Sequence, residues 1–212
     1  MSIRWWRCSP ILSPLIDPVL SFPQAALLTD RLMLREIQHD DLRDLYDVHS
    51  VDAVNRYLPY TTWESAEDGE AWWQRVQDRM ADGKALQFAI CLRQSERVIG
   101  SCVLFAYEEA HRRAEFGYAF GQQYWGQGFA REAMERFLTY CFSELDLRRL
   151  EARVDSRNEA SCVLLQRLGF KSEGCLREWM LEGEDPLDSL LFALLAYEWY
   201  ETCLLYTSDA AD

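Results

Sequence analysis

Hydrophobic positions along this chain keep two rhythms that hand over to each other in a regular order. Arg31–Ile37 (RLMLREI) alternates as a strand does, with Leu32, Leu34 and Glu36 on one side. After it, Leu42, Leu45, Tyr46 and His49 recur at helical spacing, and Asp40 or Asp41 suits the cap. Asn55–Glu64 reads as a loop broken by Pro59, and Ser65 then opens a helix to about Ala81, marked by Trp72, Trp73, Val76 and Met80. Leu86–Leu92 and Val98–Tyr107 are strands joined by a polar turn, and Ala114–Phe120 is a further strand after the polar link 108–113. A helix from about Phe129 carries Met134, Phe137, Leu138, Cys141, Phe142 and Leu145 on one face. Arg149–Val154 is a strand, Asn158–Leu168 a helix closed by Gly169, and Phe170–Leu181 and Leu187–Trp199 contain two last strands. The predicted order is β-α-α-β-β-β-α-β-α-β-β, a mixed α/β (α+β) chain without repeats.

One junction carries chemistry. Gly117–Ala133 (GYAFGQQYWGQGFAREA) runs from strand through a Gly-rich turn straight into a helix. Gly126 and Gly128 lack Cβ atoms where a backbone must approach a ligand closely. The helix behind them presents unpaired N–H groups and its positive dipole end to the turn. This combination is an anion cradle, and a pyrophosphate is the expected anion. A GxG turn alone is more often a simple tight turn; the strand–turn–helix setting is what raises it.

Composition narrows the partners. A formal net charge of −13 opposes binding to a nucleic-acid backbone and favours cations, protonated amines among them. Seven cysteines without a CxxC pair, several of them in apolar runs, fit reduced thiols in a cytoplasmic protein. The three histidines form no metal-type pair, so no metal site is expected. No apolar run reaches the roughly 18 residues of a membrane span, and Pro10, Pro14, Pro18 and Pro23 interrupt the first 26 residues, so these read as an irregular extension. The domain is expected over 27–201, with 202–212 a non-native or disordered tail.

Four stretches in this order resemble the GNAT family of acyl-CoA N-acyltransferases, and within it the RimJ/RimL-like branch: LLTDRLMLREIQHDDL (Leu27–Leu42), RAEFGYAF (Arg113–Phe120), YWGQGFAREAM (Tyr124–Met134) and ARVDSRNEASCVLLQRLGFKSEG (Ala152–Gly174). The resemblance covers roughly residues 27 to 200. It implies a central, mostly antiparallel twisted sheet splayed at the cofactor site, flanked by about four helices. It implies acetyl-CoA as co-substrate, held by Phe120, Gly121, Trp125, Gly126, Gln127, Gly128, Phe129 and Ala130, with Asn158 as a further contact. Trp125 stands where the general family signature has Gln or Arg, which matches the branch.

The implied reaction is acetyl transfer from the thioester to a primary amine: a protein N-terminal, ribosomal-protein-like α-amine, or a polyamine or aminoglycoside amine. Glu115 is the candidate base, although it equally suits a strand ion pair with Arg112 or Arg113. Many relatives carry a Tyr as general acid where this chain has Leu165, so Ser161 or water must serve, and a catalytically silent acyl-CoA-binding module stands as the alternative. Asn158 and Ser161 also suit plain capping and packing of their helix. Tyr57, Tyr60 and Trp63, with Trp72 and Trp73 nearby, suit either an acceptor pocket or helix packing. Asp185 and Asp188 are further candidates to hold a cationic acceptor. Homodimerisation is left open.

Overall fold

The structure, a computed structural model, describes residues 20–83 and 85–208. Its elements are β1 (Leu27–Leu28), β2 (Leu32–Glu36), α1 (Leu42–His49), α2 (Asp52–Asn55), α3 (Ala66–Ala81), β3 (Leu86–Leu92), β4 (Val98–Glu108), β5 (Arg113–Phe120), α4 (Phe129–Ser143), β6 (Arg149–Asp155), α5 (Glu159–Arg167), β7 (Lys171–Glu182), β8 (Asp185–Leu195) and α6 (Ala196–Ser208). The eight strands form one sheet in the order β1-β2-β3-β4-β5-β6-β8-β7. All neighbours are antiparallel except β5 and β6.

Strand alternation decides what each face buries. Phe88 and Ile90 of β3, Phe116 and Phe120 of β5, and Leu150 and Ala152 of β6 pack with Met134, Phe137 and Leu138 of α4, joined by Leu165, Phe170 and Trp199. Ala89 and Cys91 of β3 point the other way, onto Leu45 of α1 and Trp72 and Val76 of α3, with Trp63 between them. The helices therefore form two layers, α1 to α3 on one side and α4 to α6 on the other.

Two expectations change. Leu187–Trp199 is not strand throughout: β8 stops at Leu195 and α6 begins at Ala196. The Glu198 carboxylate accepts the Leu195 N–H at 3.1 Å, which caps a helix start, and Trp199 turns into the core against Phe142. With α2 preceding the Asn55–Glu64 loop, the helices number six rather than about four among the described residues. The described end of the extension packs against the domain. Leu20 is buried, Phe22 packs edge-on to Phe88 at 5.1 Å, and the Ser21 carbonyl accepts the Tyr140 hydroxyl at 2.7 Å. Residues 1–19 and 209–212 lie outside the described residues. Cys91, Cys102, Cys141, Cys162 and Cys175 are free thiols.

His49 is fully buried against Trp63, Trp72 and Tyr60; its Nδ1 bonds the Asn55 side chain at 3.0 Å and its Nε2 has no partner among the described residues. Burial pushes its pKa below the ordinary 6.5, with the Asn55 bond acting weakly against that. The unfolded chain protonates this ring first, so its contribution to stability is present above about pH 6.5 and is lost as pH falls below that. Urea midpoints measured from pH 7.5 to 5 should therefore fall with acidity, and His49→Gln should flatten that fall. An unchanged slope in the variant would contradict this assignment.

Candidate active site

The sheet opens at one place. β5 and β6 pair over only three residues, Arg113↔Arg149, Ala114↔Leu150 and Glu115↔Glu151. Beyond that rung β5 stays on β4 as far as Phe120, while β6 stays on β8 as far as Asp155. A gap follows, edged by the outer side of β5. Gly121 N–H donates back to the Ile99 carbonyl at 2.9 Å. The antiparallel ladder alternates, so the amides of Tyr118 and Phe120 face away from β4 and into the gap. Of the two amides expected to face the ligand, Gly121's is thus already committed and Phe120's is available. The Phe120 carbonyl is taken by the Trp125 indole N–H at 2.8 Å, which locks the turn onto the end of β5.

That turn leads into α4. Trp125 N–H is spent on the Gln122 carbonyl at 3.1 Å. The amides of Gly126, Gln127, Gly128, Phe129 and Ala130 have no protein partner among the described residues, and the first internal bond runs from Glu132 N–H to the Gly128 carbonyl. Gly126 (φ 71°) and Gly128 (φ 80°) lie in the left-handed region, which turns successive N–H groups to one side. A cluster unnoticed in the sequence holds this turn from outside. The Arg31 guanidinium donates to the Gln127 carbonyl (3.1 Å) and Glu132 (2.6 Å) and lies 4.2 Å from the centre of the Phe129 ring, while Thr29 and Arg31 N–H also bond Glu132. The TDR segment before the first predicted strand was the available signal, but nothing in its spacing announces a partner about a hundred residues on.

Side chains cross the gap on both faces. On the α4 face, the Tyr118 hydroxyl lies 3.3 Å from Ser161 Oγ, and Asn158 caps α5 by accepting Ser161 N–H at 3.1 Å. Burial, opposed by the Ser161 bond, pushes the Tyr118 phenol up to about 12. On the α1 face, Glu115 pairs with Arg153 at 3.0 Å rather than with Arg112 or Arg113. Burial raises the Glu115 pKa, Arg153 lowers it and Glu151 raises it again. Leu165 is fully buried in the core.

The family model for the acetyltransferase (GNAT) domain matches residues 31–171. The chain belongs to the GNAT acetyltransferases. It is 34% identical over 173 residues to p20, an uncharacterized N-acetyltransferase of Bacillus licheniformis, covering 82% of this chain and 97% of that protein. It is 28% identical over 186 residues to the ribosomal protein uS5-alanine N-acetyltransferase of Escherichia coli, covering 84% and 94%. This places it in the RimJ/RimL-like branch. The crystal structure of spermidine N-acetyltransferase from Vibrio cholerae with CoA and spermine superposes at a TM-score of 0.71, with 25% identity, over 81% of this chain and 99% of that one.

This GNAT domain is thus an acetyl-CoA-dependent N-acetyltransferase, and its site fits the co-substrate. Unpaired amides from Gly126 to Ala130 match a diphosphate, and the exposed edge at Tyr118 and Phe120 matches an extended amide-bearing arm. Acetyl-CoA supplies an activated thioester carbonyl; the residues around it bind, orient and move protons.

The aromatic candidates separate. Tyr57 is half-buried, its ring 5.4 Å from the Arg56 guanidinium and 5.8 Å from that of Arg157. Tyr60 is half-buried beside His49. Trp63 is 3% exposed, wedged against Trp72 and His49, with Gly69 leaving room for its ring, so the structure gives it a packing role. Asp188 braces β7 by accepting Glu178 N–H at 2.8 Å, and Asp185 is exposed at the hairpin tip.

Gly128 tests the cradle cleanly. A Cβ there would meet only Arg31 Nη2, at 3.4 Å, so the φ angle and not space demands glycine. Gly128→Ala should strain the turn by about 1–2 kcal/mol and weaken acetyl-CoA binding about tenfold in calorimetric titration. An unchanged affinity would contradict the cradle.

Proposed function

We propose that this enzyme acetylates the α-amine of a protein N-terminus, ribosomal-protein-like in its branch. Glu115 takes the amine proton, directly or through water, and Ser161 passes a proton to the departing thiolate as it takes one from the Tyr118 hydroxyl, which solvent then restores. One observation carries the choice: Glu115, the candidate base at the mouth of the gap, is ion-paired with Arg153, which opposes the rise in pKa that burial and Glu151 bring. An α-amine, which ordinarily titrates near pH 7.7–8.0, is about one-tenth neutral at pH 7, whereas a lysine-type amine is neutral in roughly one molecule per few thousand. The α-amine asks little of such a base. Phe120 N–H is aimed to polarise the thioester carbonyl, and Tyr118, by donating to Ser161 Oγ, leaves the Ser161 proton free for the sulfur. Asn158 contacts the co-substrate beside its capping role, Tyr57 and Tyr60 wall the acceptor side, and Trp63 backs them.

A polyamine acceptor is the second reading. The likeness to a spermidine acetyltransferase holding spermine supports it, as does the net charge of −13.

A side-by-side screen with acetyl-CoA, peptides bearing free N-termini, spermidine and an aminoglycoside decides between them. Peptide turnover with spermidine inert fits the first reading; the reverse pattern rejects it. Glu115→Gln should lower kcat/KM about 10²–10⁴-fold and Ser161→Ala less, with acetyl-CoA affinity retained. Wild-type rates in both variants would remove these residues from the chemistry.

A further inference from the structure

Glu115 occupies the last rung before the strands part, side by side with Glu151. Both carboxylates are about nine-tenths buried and share one face of the sheet. Glu151 has its own cations, Arg149 at 2.7 Å and Arg113 at 3.4 Å, and these are shared with Glu173 and Glu108 respectively. Glu115 receives its cation from further along. Arg153 sits two residues beyond the rung, in the diverged part of β6, and reaches back across the gap to it at 3.0 Å.

The far side of Arg153 is also held. Its guanidinium lies 5.1 Å from the centre of the Trp179 ring on β7. Trp179 comes from an irregular stretch. The β7–β8 register slips between Leu176 and Met180, Glu178 adopts φ 52°, and Asp188 bonds Glu178 N–H. Bulges of this kind re-aim side chains beside active sites. Here the bulge accompanies a half-exposed Trp stacked on a guanidinium, which leaves that Arg little choice of direction.

We propose that Arg153, backed by Trp179, is the positioning residue that fixes the Glu115 carboxylate at the mouth of the gap in its proton-accepting form. The inference rests on the reading of Glu115 as base. The groups facing Glu115 are Arg153 and Glu151 from β6, with Phe105 opposite on β4. Burial and Glu151 both favour the neutral acid, and Arg153 alone of these opposes them. Without Arg153 the carboxyl takes up its proton at higher pH, so the acid limb of a base-dependent rate moves upward in pH.

The full chain labelled with [13Cδ]Glu tests this without any acceptor, because loss of one carboxyl resonance in Glu115→Gln identifies Glu115. Its titration midpoint should rise by about one unit or more in Arg153→Met and by less in Trp179→Leu, and should return towards wild type in Arg153→Lys. With an alanine-leading peptide or spermidine, whichever is acetylated, the acid limb of kcat/KM should move in parallel, a loss of about tenfold below the limb. An unmoved midpoint in folded Arg153→Met, or in Trp179→Leu should the first variant not fold, overturns the proposal. If Glu115→Gln keeps the wild-type rate and pH profile, the base reading has failed. If Glu115→Gln loses rate while Arg153→Met leaves the midpoint in place, the base stands and the role of Arg153 falls.

Discussion

A sheet that stops pairing after three rungs is the constraint on which the rest of this enzyme depends. Backbone N–H and C=O groups must be satisfied when buried. A strand edge exposed in the middle of a sheet is therefore either a defect or a binding site. β5 and β6 are each secured on their outer sides, by β4 and β8, so the edge between them persists without unravelling the sheet. The same β5 then turns through Gly126 and Gly128 into α4, so a second set of unpaired amides is set beside the first. One extended ligand, anionic at one end and amide-bearing along its arm, would satisfy both.

Polar side chains take over where backbone pairing ends. Tyr118 and Ser161 meet across one face of the gap, Glu115 and Arg153 across the other. Both contacts are long-range in sequence and largely buried at Tyr118 and Glu115, where a lower dielectric strengthens a well-made polar contact. The turn is braced in the same manner from outside, by Arg31 and Glu132. Binding geometry is thus supplied by main chain, and its rigidity by a few charged or hydroxyl side chains.

Much of this was legible in the sequence because it depends on local pattern. Alternation located the strands, and two glycines between a strand and a helix marked the turn whose amides are left unpaired. The end of β8 was not legible. Ala193–Tyr200 is apolar or aromatic at nearly every position, which suits a buried strand and a helix alike, and Glu198 settles the matter only by folding back onto Leu195 N–H. Trp63 suited an acceptor pocket or helix packing alike; its burial follows from Gly69 on the helix that crosses it. Partners were harder than elements. Glu115 has two arginines immediately before it, yet strand direction turns it to a third, 38 residues later, because only the parallel rung with Glu151 brings Arg153 alongside.

Amide hydrogen exchange with and without CoA tests the central claim most directly. The account predicts new protection at Gly126 to Ala130 and at Tyr118 and Phe120, while Gly121, already bonded to Ile99, changes little. Tight CoA binding that leaves those amides exchanging as in the free protein would contradict it.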